Sequence, residues 1–466
     1  MKINIGKTLK LTHLPPEMRE ILKERLTMVN PKWLENERMG RWNRNTPRML
    51  RLYSKWKDSL WIPRGYMRQL MMLCREKDIQ PQIEDRRREL PEAVFDFKGT
   101  LKDFQTAAVE RMMSKEFGTL SAPTGSGKTV MALYMIAARR QPALIVVHTK
   151  DLAFQWIESI GQFLGIDEKA VGLIGSGKRK VGDKITVALV QSLYRCADEV
   201  FKGTGHLIVD ECHRAPSRTF TEAVTEFDSR YMLGLSATPW RRDRLSKLIF
   251  WHLGDVHWEI EKSRLIEDGH ILQAEVIVRE TSFDPYHDPV KHYSKMLQEL
   301  TADDQRNRLI VADVAEEAAI GKGVCLVLSD RKKHCETLRA MLKYRHKVHA
   351  DLLTGDLSNE ERRNVLLRLN DGEIRVLIAT GQLAGEGFDC KALSTLFLAT
   401  PIRFSGRLIQ YLGRVLRPAQ GKKKARVFDY VDIRVNILKA AAKQRQRVYD
   451  AGHSSGSRYL TVDGVR

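Results

Sequence analysis

The chain has 466 residues, of which 43% are hydrophobic and 29% are charged, and its formal net charge is +20. This length is too great for one ordinary hydrophobic core, so the sequence predicts two or three globular domains. No apolar run approaches the roughly 20 residues that span a bilayer, and the first residues lack the apolar centre of a signal peptide. We therefore expect a cytoplasmic protein with no membrane contact.

Basic residues are distributed unevenly along the chain. Ten Lys and Arg stand against three acids from Lys32 to Arg68, and thirteen stand against two from Arg403 to Arg447. Excess basic charge of this size usually indicates a polyanionic partner, most often nucleic acid. Two basic stretches near opposite ends of the chain favour a groove or clamp, and a solvated basic surface is the simpler alternative.

Residues 1–95 mix many Arg, Lys and Trp residues with short apolar pieces and contain few convincing strands. We predict a small, separate accessory domain there. From about residue 96, short apolar runs alternate with longer helical patterns, which indicates parallel sheets flanked by helices. The runs lie at 143–149, 185–192, 206–211 and 231–239, and then at 323–330, 348–355, 374–381 and 393–401.

The two sets of apolar runs predict two α/β domains with parallel sheets, over 96–260 and 261–445. The second range includes a connection at its start. Residues 446–466 contain a Gly/Ser-rich stretch and predict a flexible tail. In open α/β sheets, functional residues gather beyond the carboxyl ends of the strands. The polar residues that follow these runs are therefore the candidates for function.

The segment "APTGSGKT" (122–129) lies between a short apolar element and a helical pattern, and it has the form of a P-loop. Gly125 and Gly127 let the backbone curl so that successive N–H groups point at phosphate oxygens. Lys128 would neutralise the β- and γ-phosphates, and the Thr129 hydroxyl would bind Mg²⁺. We expect ATP and Mg²⁺ as cofactors, and the remaining loop contacts are Pro123, Thr124 and Ser126.

The segment "DECH" (210–213) follows an apolar strand and allows a metal site, a nucleophilic cysteine or a magnesium site for a nucleotide. The six cysteines are far apart with no CxxC pair, and adjacent residues rarely ligate one zinc ion, so zinc is disfavoured. A nucleophilic Cys212 would need a separate histidine base, and the sequence nearby suggests none. Asp210 would instead hold Mg²⁺, and Glu211 would orient and deprotonate the attacking water. Cys212 then becomes a small packing residue.

Eight motifs occur in the order found in superfamily 2 helicases, and the match covers about residues 95–440. This resemblance implies two RecA-like parallel-sheet domains in tandem, with ATP bound in the cleft between them. The motifs are "LKDFQ" (101–105), "APTGSGKT" (122–129), "VVHTKDLAFQW" (146–156), "DECH" (210–213), "SATP" (236–239), "LLTGDLSNEER" (352–362), "ATGQLAGEGFD" (379–389) and "QYLGRVLRP" (410–418).

The resemblance also implies roles for single residues of the first domain. Gln105 would read adenine. Ser236 and Thr238 would couple domain closure to unwinding, and His213 would help by contacting the second domain.

From the second domain, Gln410, Arg414 and Arg417 would reach ATP. An arginine supplied across the cleft stabilises charge on the transferring phosphoryl group only when the domains close. We favour Arg417 for this role, with Arg414 also touching the γ-phosphate. Gly385 and Asp389 complete the implied nucleotide contacts.

Loops at the sheet edges would contact nucleic acid, because hydroxyls, amides and cations there bind phosphates without reading the sequence. The alternative for each residue is a capping or turn role. The candidates are Thr149, Lys150, Gln191, Ser192, Arg241, Ser329, Arg331, Thr354 and Thr380.

Within superfamily 2, the sequence is most similar to the DNA-remodelling group that includes phage UvsW-type and XPB-like helicases. The stretch "NPKWLENERMGRW" (30–42) is similar to the small duplex-binding domain that precedes such cores in phage enzymes. The resemblance implies an ATP-dependent DNA helicase or translocase that unwinds or branch-migrates forked and four-way DNA, in the host cytoplasm if phage-encoded. The sequence shows no obvious coiled coil, so we expect a monomer. An RNA helicase and an ATP-gated nucleic-acid clamp without unwinding are the alternatives.

Overall fold

The computed structural model describes residues 1–214, 218–237, 246–321, 323–381, 390, 392–402, 405–416, 418, 422 and 425–450. For residues 214, 218–220, 246, 359, 405–407, 409 and 410 it describes the backbone alone. The chain divides into two compact units. The first comprises Met1–Pro123 and Gly127–Ile260, and the second comprises Thr124–Ser126 and the chain from Glu261 onward.

The N-terminal residues form two small sheets and three helices, where the sequence suggested few strands. The strands are only three to five residues long, so their alternation of buried and half-buried residues is too brief to stand out. The strands are β1 (Lys2–Ile5), β2 (Thr8–Thr12), β3 (Thr27–Val29), β4 (Met49–Arg51), β5 (Ser54–Trp56), β6 (Ser59–Pro63) and β7 (Gln82–Asp85), and the helices are α1 (Pro16–Arg25), α2 (Pro31–Arg38) and α3 (Met67–Glu76). The larger sheet has the order β5-β6-β2-β1-β7, and β3 pairs with β4.

The rest of the first unit is an eight-stranded sheet flanked by helices, in the order β11-β10-β12-β9-β13-β14-β8-β15. Every pairing is parallel except that of β10 with β11. The strands are β8 (Phe117–Ser121), β9 (Ala143–Val147), β10 (Gly172–Gly175), β11 (Lys178–Lys180), β12 (Ile185–Leu189), β13 (His206–Val209), β14 (Tyr231–Ser236) and β15 (Val256–Glu259). The helices are α4 (Asp103–Met113), α5 (Lys128–Arg139), α6 (Lys150–Leu164), α7 (Val190–Leu193), α8 (Ala197–Val200), α9 (Arg218–Thr225) and α10 (Ser246–Leu253).

The second unit contains a six-stranded, fully parallel sheet in the order β16-β21-β20-β17-β19-β18. Of its central strands, Val324–Ser329 is buried along its whole length and Leu393–Leu398 at every residue except Ser394, as expected for a parallel sheet covered on both faces. The strands are β16 (Ala274–Thr281), β17 (Val324–Ser329), β18 (Asp351–Leu353), β19 (Val376–Thr380), β20 (Leu393–Leu398) and β21 (Ala425–Asp432). The helices are α11 (Lys262–Glu267), α12 (Tyr293–Ala302), α13 (Asp304–Ile320), α14 (Lys332–His346), α15 (Asn359–Asn370), α16 (Ser405–Val415) and α17 (Asn436–Asp450).

Two boundaries differ from those that the sequence predicts. Residues 1–95 have their own sheets, but they share a hydrophobic core with Leu248 and Trp251 of α10, so they are not a separate body. The last helix continues to Asp450, past the expected start of a flexible tail at residue 446, because Arg445 and Tyr449 are buried against Asp429 of β21. Among the described residues, no helix is long and apolar enough to cross a membrane.

Candidate nucleotide and nucleic-acid sites

The loop between β8 and α5 has a backbone suited to binding an anion. Gly125 and Gly127 have φ values of 90° and 82°, in the left-handed region that favours glycine. The Lys128 Nζ donates to the carbonyl oxygens of Ala122, at 3.0 Å, and Pro123, at 3.4 Å. The first N–H groups of α5 and the Lys128 ammonium together give this loop the positive character that a phosphate requires.

Gln105 lies beside this loop. Its Oε1 accepts from the Lys102 backbone N–H at 3.0 Å, which fixes the side chain at the start of α4. A Cβ added at Gly127 would collide with Nε2 of Gln105, so the carboxamide lies directly against the loop backbone. A side chain at residue 127 would therefore displace this carboxamide.

Asp210 follows β13, and both of its carboxylate oxygens accept hydrogen bonds. The indole Nε1 of Trp156 donates to Oδ2 at 2.9 Å, and the Glu211 backbone N–H donates to Oδ1 at 2.8 Å. Trp156 lies on α6, which follows the neighbouring strand β9, and strand order therefore brings the indole to the carboxylate. The sequence alone assigned no role to Trp156, and the only available signal was its place at the end of the motif 146–156.

The electrostatic environment of Asp210 fits a cation site. Burial, followed by the neighbouring Glu211 carboxylate, raises the pKa of Asp210, while the Trp156 hydrogen bond and the Lys128 charge act in the opposite direction. Two adjacent acids at a buried position are complemented by a hard divalent cation with oxygen ligands. The Asp210 carboxylate and the Thr129 hydroxyl carry oxygen donors of the kind that Mg²⁺ prefers.

His213 lies close to two other residues at this edge of the sheet. Its Nδ1 is 3.0 Å from Oγ of Ser236, the last residue of β14, and 3.2 Å from Oε2 of Glu211. Glu211 itself has a φ of 48°, in the left-handed region that a residue with a side chain rarely adopts. The "DECH" and "SATP" segments are thus joined through one imidazole.

Cys212 is fully buried and belongs to the hydrophobic core that supports the first parallel sheet. Burial raises the pKa of its thiol well above the ordinary value, and the carboxylates of Glu211 and Asp210 act in the same direction. A protonated, inaccessible thiol has the properties of a packing residue and not those of a nucleophile.

In the first unit, four candidate nucleic-acid residues follow two neighbouring strands. The Thr149 hydroxyl accepts from the Leu152 N–H at 3.4 Å and caps α6, whose first residue, Lys150, is exposed. Gln191 is exposed and Ser192 is half-buried on α7, a short helix where the sequence pattern suggested continued strand. Because β9 and β12 pair in parallel, the four residues gather at one edge of the sheet.

In the second unit, Ser329, Thr354 and Thr380 follow or end the neighbouring strands β17, β18 and β19. Ser329 is only 1% exposed, and its Oγ lies 2.9 Å from Nδ1 of His334 and accepts from the Arg331 N–H at 3.2 Å. Ser329 therefore positions Arg331 instead of presenting its hydroxyl to solvent. Thr354 is buried, Thr380 is half-buried, and half-buried Arg331 donates to Oγ of Ser294 at 2.9 Å.

Of the other predicted contacts, Arg414 is half-buried on α16, and Gln410 lies on the same helix with its backbone alone described. The remaining candidates lie outside the described residues: Thr238, Arg241, Gly385, Asp389 and Arg417.

Two family models match the chain: "Type III restriction enzyme, res subunit" over residues 98–241 and "Helicase conserved C-terminal domain" over residues 294–419. The chain is 26% identical over 390 residues to "Putative ATP-dependent RNA helicase L396" of Acanthamoeba polyphaga mimivirus, covering 81% of this chain and 73% of that protein. It is 27% identical over 404 residues to "DNA 3'-5' translocase XPB2" of Sulfurisphaera tokodaii, covering 78% of this chain and 89% of that protein.

A solved fragment of a putative HsdR subunit of a type I restriction enzyme from Vibrio vulnificus YJ016 has a similar fold. Its TM-score is 0.58 at 17% identity, over 78% of this chain and 69% of that chain. This match confirms the predicted fold class, an α/β chain with two RecA-like parallel-sheet domains.

Proposed function

The chain belongs to the superfamily 2 helicases, and we propose that it is an ATP-dependent DNA helicase or translocase that unwinds or branch-migrates forked and four-way DNA. The proposal of ATP hydrolysis rests mainly on the Asp210 carboxylate. This group is buried beside Glu211, its pKa is influenced by the Lys128 charge, and both of its oxygens accept hydrogen bonds. The DNA part is supported by the net charge of +20 and by the relative named as a DNA translocase.

In this proposal the P-loop N–H groups and Lys128 bind the phosphates of ATP, and Gln105 contacts adenine. Thr129 and Asp210 hold Mg²⁺, which when bound would neutralise charge on the transferring phosphoryl group. Glu211 orients the attacking water and accepts its proton. The other proposed nucleotide contacts are Pro123, Thr124, Ser126, Gly385, Asp389, Gln410, Arg414 and Arg417.

The contact of His213 with Ser236 supports a coupling role for these two residues and for Thr238. Any change in the position of Glu211 alters the environment of His213, because both lie within 3.2 Å of each other. His213 passes that change to the end of β14 through Ser236. We assign the link between hydrolysis and movement on nucleic acid to this path.

The backbone of the translocated strand would lie along the edges where the candidate loops gather. Lys150, Gln191 and Arg331 offer a cation, an amide and a guanidinium to phosphates, which fits binding without sequence preference. Thr149, Ser192, Arg241, Thr354 and Thr380 complete the proposed contacts, and Ser329 supports them by positioning Arg331.

RNA unwinding is the second candidate function, because one relative is named as an RNA helicase. A strand-displacement assay with ATP and Mg²⁺ separates the two. It compares a synthetic four-way junction, a fork, a tailed DNA duplex and a tailed RNA duplex. We expect faster displacement on the junction and the fork, whereas displacement of RNA alone would overturn the substrate assignment.

Glu211→Gln tests the motor itself. The amide keeps the size of the side chain but cannot accept the proton of water, so hydrolysis should fall by a factor of about 10²–10⁴. Binding of a fluorescent ATP analogue should persist, and strand displacement should stop. A variant that still displaces strands at the wild-type rate would contradict the role of Glu211 and favour a clamp that needs no hydrolysis.

A further inference from the structure

One segment of the N-terminal sheets carries a concentrated positive charge. We call residues 38–57, from the last residue of α2 to the turn before β6, the basic segment; it contains seven Arg and Lys residues and no acid. All seven side chains are exposed, and none forms an ion pair with a carboxylate of the described residues. They are Arg38, Arg41, Arg44, Arg48, Arg51, Lys55 and Lys57.

The part of the basic segment that precedes β4 is held in place by asparagine side chains. Asn30 donates to the Pro47 carbonyl at 2.9 Å, Asn36 donates to Oδ1 of Asn43 at 3.0 Å, and Asn43 donates to the Trp33 carbonyl at 3.1 Å. The Asn30 backbone N–H also donates to the Arg48 carbonyl at 2.8 Å. The arginines are therefore presented on an ordered loop, which reduces the entropy lost when they bind a partner.

The same segment exposes two tryptophan side chains. Trp42 is 82% exposed and Trp56, on the edge strand β5, is 69% exposed. The Arg44 guanidinium lies 5.5 Å from the centroid of the Trp42 ring. Exposed aromatic rings beside unpaired cations are the combination that binds single-stranded nucleic acid, where bases stack on the rings and phosphates meet the charges.

We propose that the basic segment binds DNA at the boundary between duplex and single strands, with its cations on phosphates and Trp42 stacked on an unpaired base. The inference rests on the proposed function, in which branched DNA is the substrate. Phosphate contacts alone would suffice to bind a continuous duplex, because its bases are already stacked on one another. An exposed indole becomes useful where a base is unpaired, as it is at the branch point of a fork.

The test uses the full chain and fluorescence anisotropy with three DNAs: a continuous duplex, a fork, and the same fork with abasic sites at the unpaired positions next to the branch. Abasic sites keep every phosphate and remove the bases. The wild type should bind the intact fork about tenfold more tightly than the abasic fork, within the range for stacking on one or two bases. Trp42→Ala should bind both forks equally, and Trp42→Phe should restore most of the preference.

Two further variants serve as comparisons. Arg41→Ala combined with Arg44→Ala should weaken binding to all three DNAs and lower the slope of log affinity against log salt by about two. Met72→Ala removes a half-exposed apolar side chain on α3, outside the basic segment, and should behave as wild type.

A Trp42→Ala protein that keeps the tenfold preference for bases would overturn the inference. An unchanged salt slope in the double arginine variant would overturn the phosphate contacts. Failure of the proposed function looks different, because the wild type would then show the Trp42-dependent preference and yet displace no strand with ATP.

Discussion

Asp210 and Glu211 are adjacent but are held in different ways. Asp210 is fixed by two hydrogen bonds, from Trp156 and from the Glu211 backbone. Glu211 occupies a left-handed backbone conformation, which costs a residue with a side chain roughly 1–2 kcal/mol. Strain of this kind persists where the surrounding structure imposes it, commonly at functional sites. One carboxylate is thus set for holding a cation, and the other is turned toward His213.

Trp156→Phe should raise the Mg²⁺ concentration needed for ATP hydrolysis by about tenfold. The phenyl ring keeps most of the packing but removes the donor that orients Asp210, and loss of such an outer partner typically weakens metal binding by about 10- to 100-fold. The measurement is a Mg²⁺ titration of ATPase activity, together with binding of a fluorescent nucleotide with and without Mg²⁺.

Trp251→Phe is the matched control for this prediction. Trp251 is also buried in the first unit but packs in the core that α10 shares with the N-terminal sheets. An equal Mg²⁺ requirement in the two variants would show that the hydrogen bond to Asp210 does not matter.

At the scale of elements, α14 is anchored to its sheet and to α13 through His334. The Asn307 amide donates to the Thr301 carbonyl at 3.0 Å, so its Oδ1 faces Nε2 of His334, 2.8 Å away. His334 then accepts from the Ser329 hydroxyl at Nδ1. Burial, with a smaller effect of the Arg306 charge, lowers the pKa of His334 to about 3.

This lowered pKa predicts that the second unit loses stability as the pH falls. In the unfolded chain a histidine titrates near 6.5, so below that pH the unfolded state binds a proton that folded His334 does not take up until about pH 3. The contribution is fully present above pH 6.5 and falls by about 1.5 kcal/mol between pH 6.5 and 5.

His334→Gln removes the titrating ring and should reduce this dependence in urea unfolding measured at several pH values. His349→Gln is the control, because the His349 side chain is 80% exposed. If both variants keep the wild-type dependence of unfolding free energy on pH, His334 is not the source of that dependence.

At the scale of the molecule, the N-terminal sheets and the first parallel sheet form one unit. The buried Arg64 donates to the carbonyl oxygens of Ser229, at 2.8 Å, and Gly6, at 3.3 Å, and it also contacts the sulfur of Met232. The chain after β7 is bound to the same surface, since Leu90 exchanges two hydrogen bonds of 2.9 Å with the Gln141 side chain. DNA held by the basic segment would therefore move with the first parallel sheet.

Gly65→Ala should weaken the packing of the N-terminal sheets against the rest of the first unit. A Cβ at Gly65 would lie 2.5 Å from the Gly254 nitrogen and 2.7 Å from the Trp251 carbonyl oxygen, so α10 would have to move. We expect a loss of about 1–3 kcal/mol of stability and faster proteolysis of the segment between β7 and α4. Gly203→Ala, where the added Cβ meets no atom within 4 Å, should leave both properties unchanged.

Local patterns were enough to predict the positions of most strands in the two parallel sheets. Within the predicted apolar runs, residues 143–147 and 324–329 are strands because every residue there is buried on one face of the sheet or the other. The N-terminal strands were not predicted, because each is too short to show the alternation of buried and exposed residues. Gln191 and Ser192 were predicted as the polar end of a strand but lie on a short helix, which the sequence did not reveal because four residues carry no helical period.

The P-loop, the acidic pair after β13 and the order of the motifs could be predicted without a structure, because each depends on residues that are neighbours in the chain. The tertiary structure decided which distant groups meet. Trp156 reaches Asp210 across 54 positions, and Arg64 reaches Ser229 across 165. The physical reason is that periodicity reports whether a residue is buried, while the order of strands in the sheet determines which side chain buries it.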